Sequence, residues 1–366
     1  MGRTTALHQW HESAGARMTE FAGWDMPVSY ERGAIAEHRL VRRSAGLFDT
    51  SHMAQYRVSG TGALEYLERL VSARISGVAE WSSTYALLCR DDGGVLDDLF
   101  LYRLPDAWLV VANAANRESD AEWFRDHLPA SGAAFADASD ETSMFAFQGP
   151  RALAVMDRIT DATASRIPRF GAAELALAGC SVIVGRTGYT GEDGVELFVP
   201  GDAARAVWEL LLGEADDAGI EAGPIGLAAR DSLRFEAGFP LYGHELSTEI
   251  SPVEARLTWA CDFEKEFIGR DALARRRERG VERRLATVRM TERSVPREGF
   301  PVQSDGKETG HVASGMYCPT VDASCANVFI PPALAKTGTD VDIEIRGRPR
   351  PAVVVKRPLY TPAYRR

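Results

Sequence analysis

Cysteine is too sparse and too scattered in this chain to build a disulfide framework. Its five cysteines, Cys89, Cys180, Cys261, Cys318 and Cys325, are odd in number, and no two form a CxxC pair. Neither a stapled scaffold nor a cysteine-held zinc site is therefore indicated. Long apolar runs are also missing, so no segment reads as membrane-spanning, and residues 1–16 hold no apolar signal-peptide core. There is no basic excess: the formal net charge of -10 argues against general nucleic-acid binding, which needs a positive field. No dinucleotide fingerprint follows a strand and no phosphate loop occurs. Seven histidines include His8 and His11 at helical spacing, but no third ligand stands nearby. That pair reads as helix surface, and no metal site is expected. These exclusions leave a cytoplasmic protein in a reducing compartment, without nucleic-acid or membrane partners.

What remains is an ordinary globular composition spread over 366 residues, 45% apolar and 26% charged. A chain of that length outgrows one small core, so two or three domains are expected. Helices are predicted over 5–14, 29–43 and 63–71, the last with Leu64, Leu67, Leu70 and Val71 on one face. Segments 85–89 and 95–102 flank Asp91-Asp92-Gly93-Gly94, a hairpin signal, and 108–112 adds a third strand. A helix is expected over 118–128. A second unit begins near Glu141 with a strand at 143–147, and Gly149-Pro150 opens a helix. Further helices are predicted at 202–212 and 224–237. The Arg- and Glu-rich stretch 272–284 reads as a solvated helix and linker, and the residues beyond it as a small all-β domain.

Between apolar runs at 181–185 and 195–199 lies Arg186-Thr187-Gly188-Tyr189-Thr190-Gly191-Glu192-Asp193-Gly194-Val195-Glu196. A hairpin needs glycine at a turn, but it needs neither a buriable aromatic nor an acid on the outgoing strand. Such a loop lets backbone approach a flat polar ligand, with Tyr189 as a lid and Glu196 as an acceptor.

Asp97 and Asp98 are neighbours in a predicted strand, so they point to opposite faces. Val95, Leu99 and Leu101 share a face with Asp97; Leu96, Phe100 and Tyr102 share one with Asp98. Both faces are apolar, and an acid in such a place is costly unless it is hydrogen-bonded or serves a ligand. Turn chemistry after Gly93-Gly94 is the competing account. On 224–237, Arg230 and Arg234 stand at i and i+4, so like charges share a face unless Asp231 or Glu236 relieves them or one arginine serves a ligand.

Other fragments stand in a fixed order along the chain. They include Phe21-Ala22-Gly23-Trp24-Asp25-Met26-Pro27, Gly46-Leu47-Phe48-Asp49-Thr50-Ser51-His52-Met53, Gly93-Gly94-Val95-Leu96-Asp97-Asp98 and Gln148-Gly149-Pro150. Ala229-Arg230-Asp231-Ser232-Leu233-Arg234, Leu241-Tyr242-Gly243, Phe267-Ile268-Gly269 and Arg346-Gly347 follow. Each fragment is weakly specific, but the ordered set, from about 7 to 364, resembles the T proteins of glycine cleavage systems. These are folate-dependent aminomethyltransferases.

The resemblance implies an α+β fold of three domains in a cloverleaf around a central channel, the C-terminal one a small β-barrel. It implies residues 1–49 with 141–245 as the first, folate-binding domain, 50–140 with 246–275 as the second, and 283–366 as the barrel. The activity it implies is transfer of a methylene unit from an aminomethylated lipoyl arm to tetrahydrofolate, with release of ammonia. The partner is the lipoylated H protein. Asp98 matches the family's essential aspartate, and partial burial would raise its pKa and suit it to relaying a proton, leaving Asp97 structural. Met53, Tyr85 and Asn113 match folate-contacting positions, although filler, core tyrosine and strand-end turn describe them equally well. Glu196 matches the acceptor of the pterin amino group and ring N–H, and Arg230 the ligand-site arginine, for the folate carboxylate tail or the orientation of an acid. Arg346-Gly347-Arg348 is expected near the channel mouth, where it would steer an acidic partner, or else as a solvated turn.

Three positions depart from the family pattern. Ala54 and Cys318 replace a usual glycine and serine, and Arg256 stands where glycine is the rule. Arg256 keeps open a tetrahydrofolate-dependent demethylase acting on a small methylated compound. A non-catalytic folate-binding relative is the third reading, which the presence of Asp98 and the lack of a Lys-Gly-Cys motif argue against.

Overall fold

A computed structural model describes residues 2–365. Its fold is α+β, with four sheets. One five-stranded antiparallel sheet runs Ala172–Leu177, Cys180–Gly185, Gly194–Pro200, Thr142–Gln148, Gly46–Asp49. Apolar residues on one of its faces (Phe145, Phe147, Val182, Val195, Leu197) bury against helices Ala152–Ile159 and Ala204–Asp217 through Val155, Val207, Trp208 and Leu211. Its other face, at Phe48 and Ala146, is covered by helices Ala34–Arg43 and Leu227–Ala237.

The second five-stranded sheet runs Ser82–Cys89, Val95–Arg103, Ala107–Ala112, Ala54–Ser59, Ala134–Asp137. Helices Ala63–Leu70 and Arg117–Asp126 cover its Tyr56, Val58, Leu99, Leu101 and Val110. Tyr102, Leu109 and Val111 on the opposite face meet Met144 and Phe198, so the two sheets share an apolar seam. Strands from Arg284–Met290 to Arg348–Val355 close a six-stranded barrel, as the β-rich C-terminal composition predicts.

One carboxylate ties these parts together. Glu245, fully buried, accepts from Arg234 Nη1 at 2.9 Å, Leu241 N at 2.9 Å, Asn327 Nδ2 at 2.9 Å and Ser314 Oγ. Asn327 and Ser314 belong to the barrel, so this ion pair fixes helix Leu227–Ala237 against it. Removing one partner of such a pair costs about 3–5 kcal/mol.

Several expectations need correction. The helix predicted over 29–43 begins only at Ala34, because Trp24–Ser29 is a strand. Its Pro27 lies opposite Met18, beyond the short reach of Arg3–Thr4, where no partner needs the missing N–H. The helix predicted from 224 begins at Leu227, because Pro224 bridges to Leu47 in parallel. His11 is not helix surface. It is buried, with Nε2 2.9 Å from Asp49 Oδ2 and Nδ1 2.9 Å from the Tyr30 hydroxyl. The Arg346–Arg348 turn joins the two last barrel strands and does not line the cavity described below.

Candidate active site

A cavity of about 670 Å³ opens at the seam between the two sheets. Helix Leu227–Ala237, the loop around Phe239, the turn around Arg256 and the segment around Arg357 complete its wall. That volume suits one medium-sized organic ligand. Met53, Tyr85, Asp98, Asn113, Tyr189, Glu196 and Arg230 all line it. Residues separated by up to 177 positions in sequence therefore face one hollow.

Strand alternation delivers Asp98. In Val95–Arg103, Asp97 turns into the packed side and is fully buried, while Asp98 turns to the cavity and keeps some exposure. Asp98 accepts from the Tyr85 hydroxyl at 3.1 Å and from Asn113 Nδ2 at 2.8 Å. Burial, and then the charge of Asp97, push its carboxyl up to about 7. A group so placed can take or give a proton near neutrality. Asp97 accepts from Asn113 N at 2.8 Å, Asn113 Nδ2 at 2.7 Å and Asn116 Nδ2 at 2.9 Å.

The glycine-rich loop is held by contact rather than by turn geometry alone. A Cβ on Gly188 would sit 1.9 Å from Gln148 Oε1, so only glycine fits there. Tyr189 stacks on Phe239 at 5.6 Å and donates to the Pro240 carbonyl, so the lid is fastened. Glu196 Oε2 accepts from Thr187 Oγ1 at 2.5 Å and the Tyr102 hydroxyl at 3.0 Å. Its other oxygen has no donor among the described residues. Burial raises its pKa despite those bonds. Arg230 lies over the Tyr189 ring at 4.4 Å, and burial lowers its pKa. Neighbouring His52, buried beside Arg230, is pushed down to about 3 and stays neutral. Arg234 does not face the cavity alongside Arg230: it pairs with Asp231 at 2.8 Å and with Glu245.

Several lining residues were not singled out in the sequence. Trp259 is 69% exposed yet stacks on Tyr85 at 5.4 Å, forming one rim of the opening. Phe170, Phe239, Thr187 and Arg357 also line the wall. The only sequence signal for Trp259 was a large aromatic in a segment without helical or strand period, which is weak.

Arg256 lines the rim with φ of +63°, a left-handed backbone that disfavours side chains. Its turn needs that conformation whichever residue occupies it. Arg256→Gly is therefore expected to stabilise the protein by about 1 kcal/mol, seen as a rise in thermal midpoint; an unchanged or lower midpoint would mean the arginine gains more from its contacts than the backbone loses.

Comparison with known proteins places the chain. Two family models match in succession, the GCVT N-terminal domain over residues 7–265 and the glycine cleavage T-protein C-terminal barrel domain over 283–361. An aminomethyltransferase of Herpetosiphon aurantiacus is 42% identical over 367 residues, covering 100% of both chains. One from Prosthecochloris aestuarii is 42% identical over 361 residues, covering 97% of this chain and 98% of its own. The crystal structure of glycine cleavage system aminomethyltransferase T from Bartonella henselae superposes with a TM-score of 0.93 at 33% identity, covering 100% of each chain. Full-length agreement in sequence and fold, with a cavity between the sheets that carries convergent acids, leads to one assignment: this chain belongs to the glycine cleavage T-protein family and is an aminomethyl-transferring enzyme.

Proposed function

We propose that the cavity binds tetrahydrofolate and receives an aminomethylated dihydrolipoyl arm carried by an H protein. Convergence of Asp98, Tyr85, Asn113 and Glu196 on one hollow carries this reading. The free oxygen of Glu196 and its held partner suit the two adjacent N–H donors of a pterin edge. Tyr189, Met53, Phe100 and Val111 offer apolar surface for a flat ring. Arg230 and Arg357 pair with no carboxylate among the described residues, which suits the anionic tail of a folate.

In the reaction, the sulfur-bound –CH2–NH3+ loses its C–N and C–S bonds while two folate nitrogens form bonds to that carbon. The two folate N–H protons leave; one ends on the lipoyl sulfur and one on ammonia. Asp98 takes a proton from a folate nitrogen and hands it on, and no covalent enzyme intermediate is needed.

The demethylase alternative is not favoured, because relatives matched along their whole length are aminomethyltransferases. We also assign residues 1–49 with 141–245, 50–140 with 246–275, and 283–366 to three domains. Sheet membership supports this division, since each five-stranded sheet draws its strands from one set. Among the described residues no helix is long and apolar enough to cross a membrane.

A direct assay supplies the aminomethylated lipoyl carrier with tetrahydrofolate and follows ammonia and methylene-tetrahydrofolate. Stoichiometric release of both is expected. Turnover with a free methyl donor but none with the carrier would overturn the reading.

A further inference from the structure

Behind Asp98 lies a carboxylate cluster that the reaction, as described, does not use. Asp97 and Asp120 are both buried, at 0% and 1% exposure, and their carboxyl groups face each other within interaction distance. No arginine, lysine or histidine pairs with Asp97, Asp98 or Asp120 among the described residues. Two carboxylates in contact without a cation cannot both stay ionised, because their repulsion in a dry site is too large. One proton must be shared.

The donor count says where it rests. Asp97 receives three N–H bonds, from the backbone and side chain of Asn113 and the side chain of Asn116. Asp120 receives none: no N–H or O–H group among the described residues donates to its buried Oδ2. Donors stabilise an anion, and an oxygen lacking them is better protonated. Asp120 is accordingly the acid and donates to Asp97. The Asn113 amide then reaches across, 2.7 Å from Asp97 Oδ1 and 2.8 Å from Asp98 Oδ1.

We propose that Asp97 and Asp120 share one buried proton and form a positioning pair for Asp98: ionised Asp97 fixes the Asn113 amide that holds Asp98 and presents Asp98 with a fixed negative charge. The pair touches no reacting atom. Its effect passes through Asn113 and through space, and it rests on the reading of Asp98 as the proton carrier. The other titratable groups facing these acids are phenols: Tyr85 and Tyr189 toward Asp98, Tyr56 and Tyr242 toward Asp97 and Asp120. Burial raises all four, so they stay neutral through the working range and the charge Asp98 feels at close range is that of Asp97.

The test is the pH profile of kcat with carrier and tetrahydrofolate. Asp97→Asn removes the charge and is expected to move the acid-side midpoint down by about one unit, so at pH 6 the variant keeps about a fivefold larger share of its plateau rate. Asp120→Asn removes a group that is already neutral and leaves a donor toward Asp97, so the midpoint should stay in place. An unmoved midpoint in Asp97→Asn, or an equal shift in Asp120→Asn, overturns the proposal. Turnover unaffected by Asp98→Asn would instead overturn the role of Asp98 itself. Should Asp97→Asn fail to fold, carboxyl-carbon NMR of aspartate-labelled wild-type protein decides, with signals assigned from Asp98→Asn and Asp120→Asn. Asp120 protonated and Asp97 ionised at pH 7 supports the pair, and the reverse overturns it.

Discussion

Asp98→Asn is expected to lower kcat by about a hundred- to ten-thousandfold, the usual worth of a positioned general acid–base, while folate affinity changes by less than about threefold. The asymmetry follows from what the side chain touches. An amide keeps an oxygen for Asn113 Nδ2, and its nitrogen can donate to the Tyr85 hydroxyl, so local geometry survives. What disappears is the titrating proton. In the unsubstituted enzyme, activity should fall on the acid side with a midpoint near 7, because below it the carboxyl is already protonated and cannot accept from a folate nitrogen. Single-turnover kinetics and equilibrium folate binding on the same preparation separate the two effects. Retained turnover, or affinity lost as severely as rate, would contradict the assignment.

The same substitution should make the protein more stable. The folded carboxyl holds its proton up to about 7, whereas an unfolded aspartate releases it near 3.9. Between those values the folded state binds more protons, so stability falls as pH rises through the window and the penalty is complete above it. Asparagine removes that penalty. A gain of about 1–2 kcal/mol at pH 8, after discounting for partial exposure, and almost none at pH 4 is expected in denaturant titrations.

Glu196→Gln is expected to weaken folate binding by about a hundred- to thousandfold, with a smaller change in kcat. Two charge-assisted bonds to adjacent donors are worth about 1.5–3 kcal/mol each, and the glutamine nitrogen would set donor against donor. Thr187 and Tyr102 keep the side chain in place, so the loss should appear as affinity rather than as disorder. Calorimetric titration with tetrahydrofolate checks this, and a change below about fivefold would mean that the pterin edge lies elsewhere.

Local rules made part of this site legible in the chain, while Met53, Tyr85, Asn113, Arg230 and the choice of Asp98 over Asp97 are legible only through the family resemblance. Strand alternation alone sent Asp97 and Asp98 to opposite sides, and the hairpin at Asp92-Gly93 set them opposite Leu88 and Leu87. The loop at 186–196 announced itself by glycines beside an aromatic. Features that depend on distant packing were not legible. His11 reads as surface because its partners, Asp49 and Tyr30, lie 38 and 19 residues away. Trp24–Ser29 hides as a strand because Pro27 argues against one, and only the short reach of Arg3–Thr4 permits it. Asp120 carries no signal of its own beyond its place in the helix expected over 118–128. Its contact with Asp97 depends on how helix Arg117–Asp126 lies on the sheet.

The wall of the cavity is gathered from Met53 at one extreme to Arg357 and Tyr364 at the other, with contributions from every sheet except the small three-stranded one and the barrel itself. Such a site has no partial version. A nascent chain can complete either five-stranded sheet and still lack any receptor until the segment following the barrel has docked. Ligand occupancy then acts on the whole assembly at once, stabilising it by RT ln(1 + [L]/Kd). Cellular supply of the pterin should accordingly set how long the enzyme survives proteolysis as well as how fast it turns over.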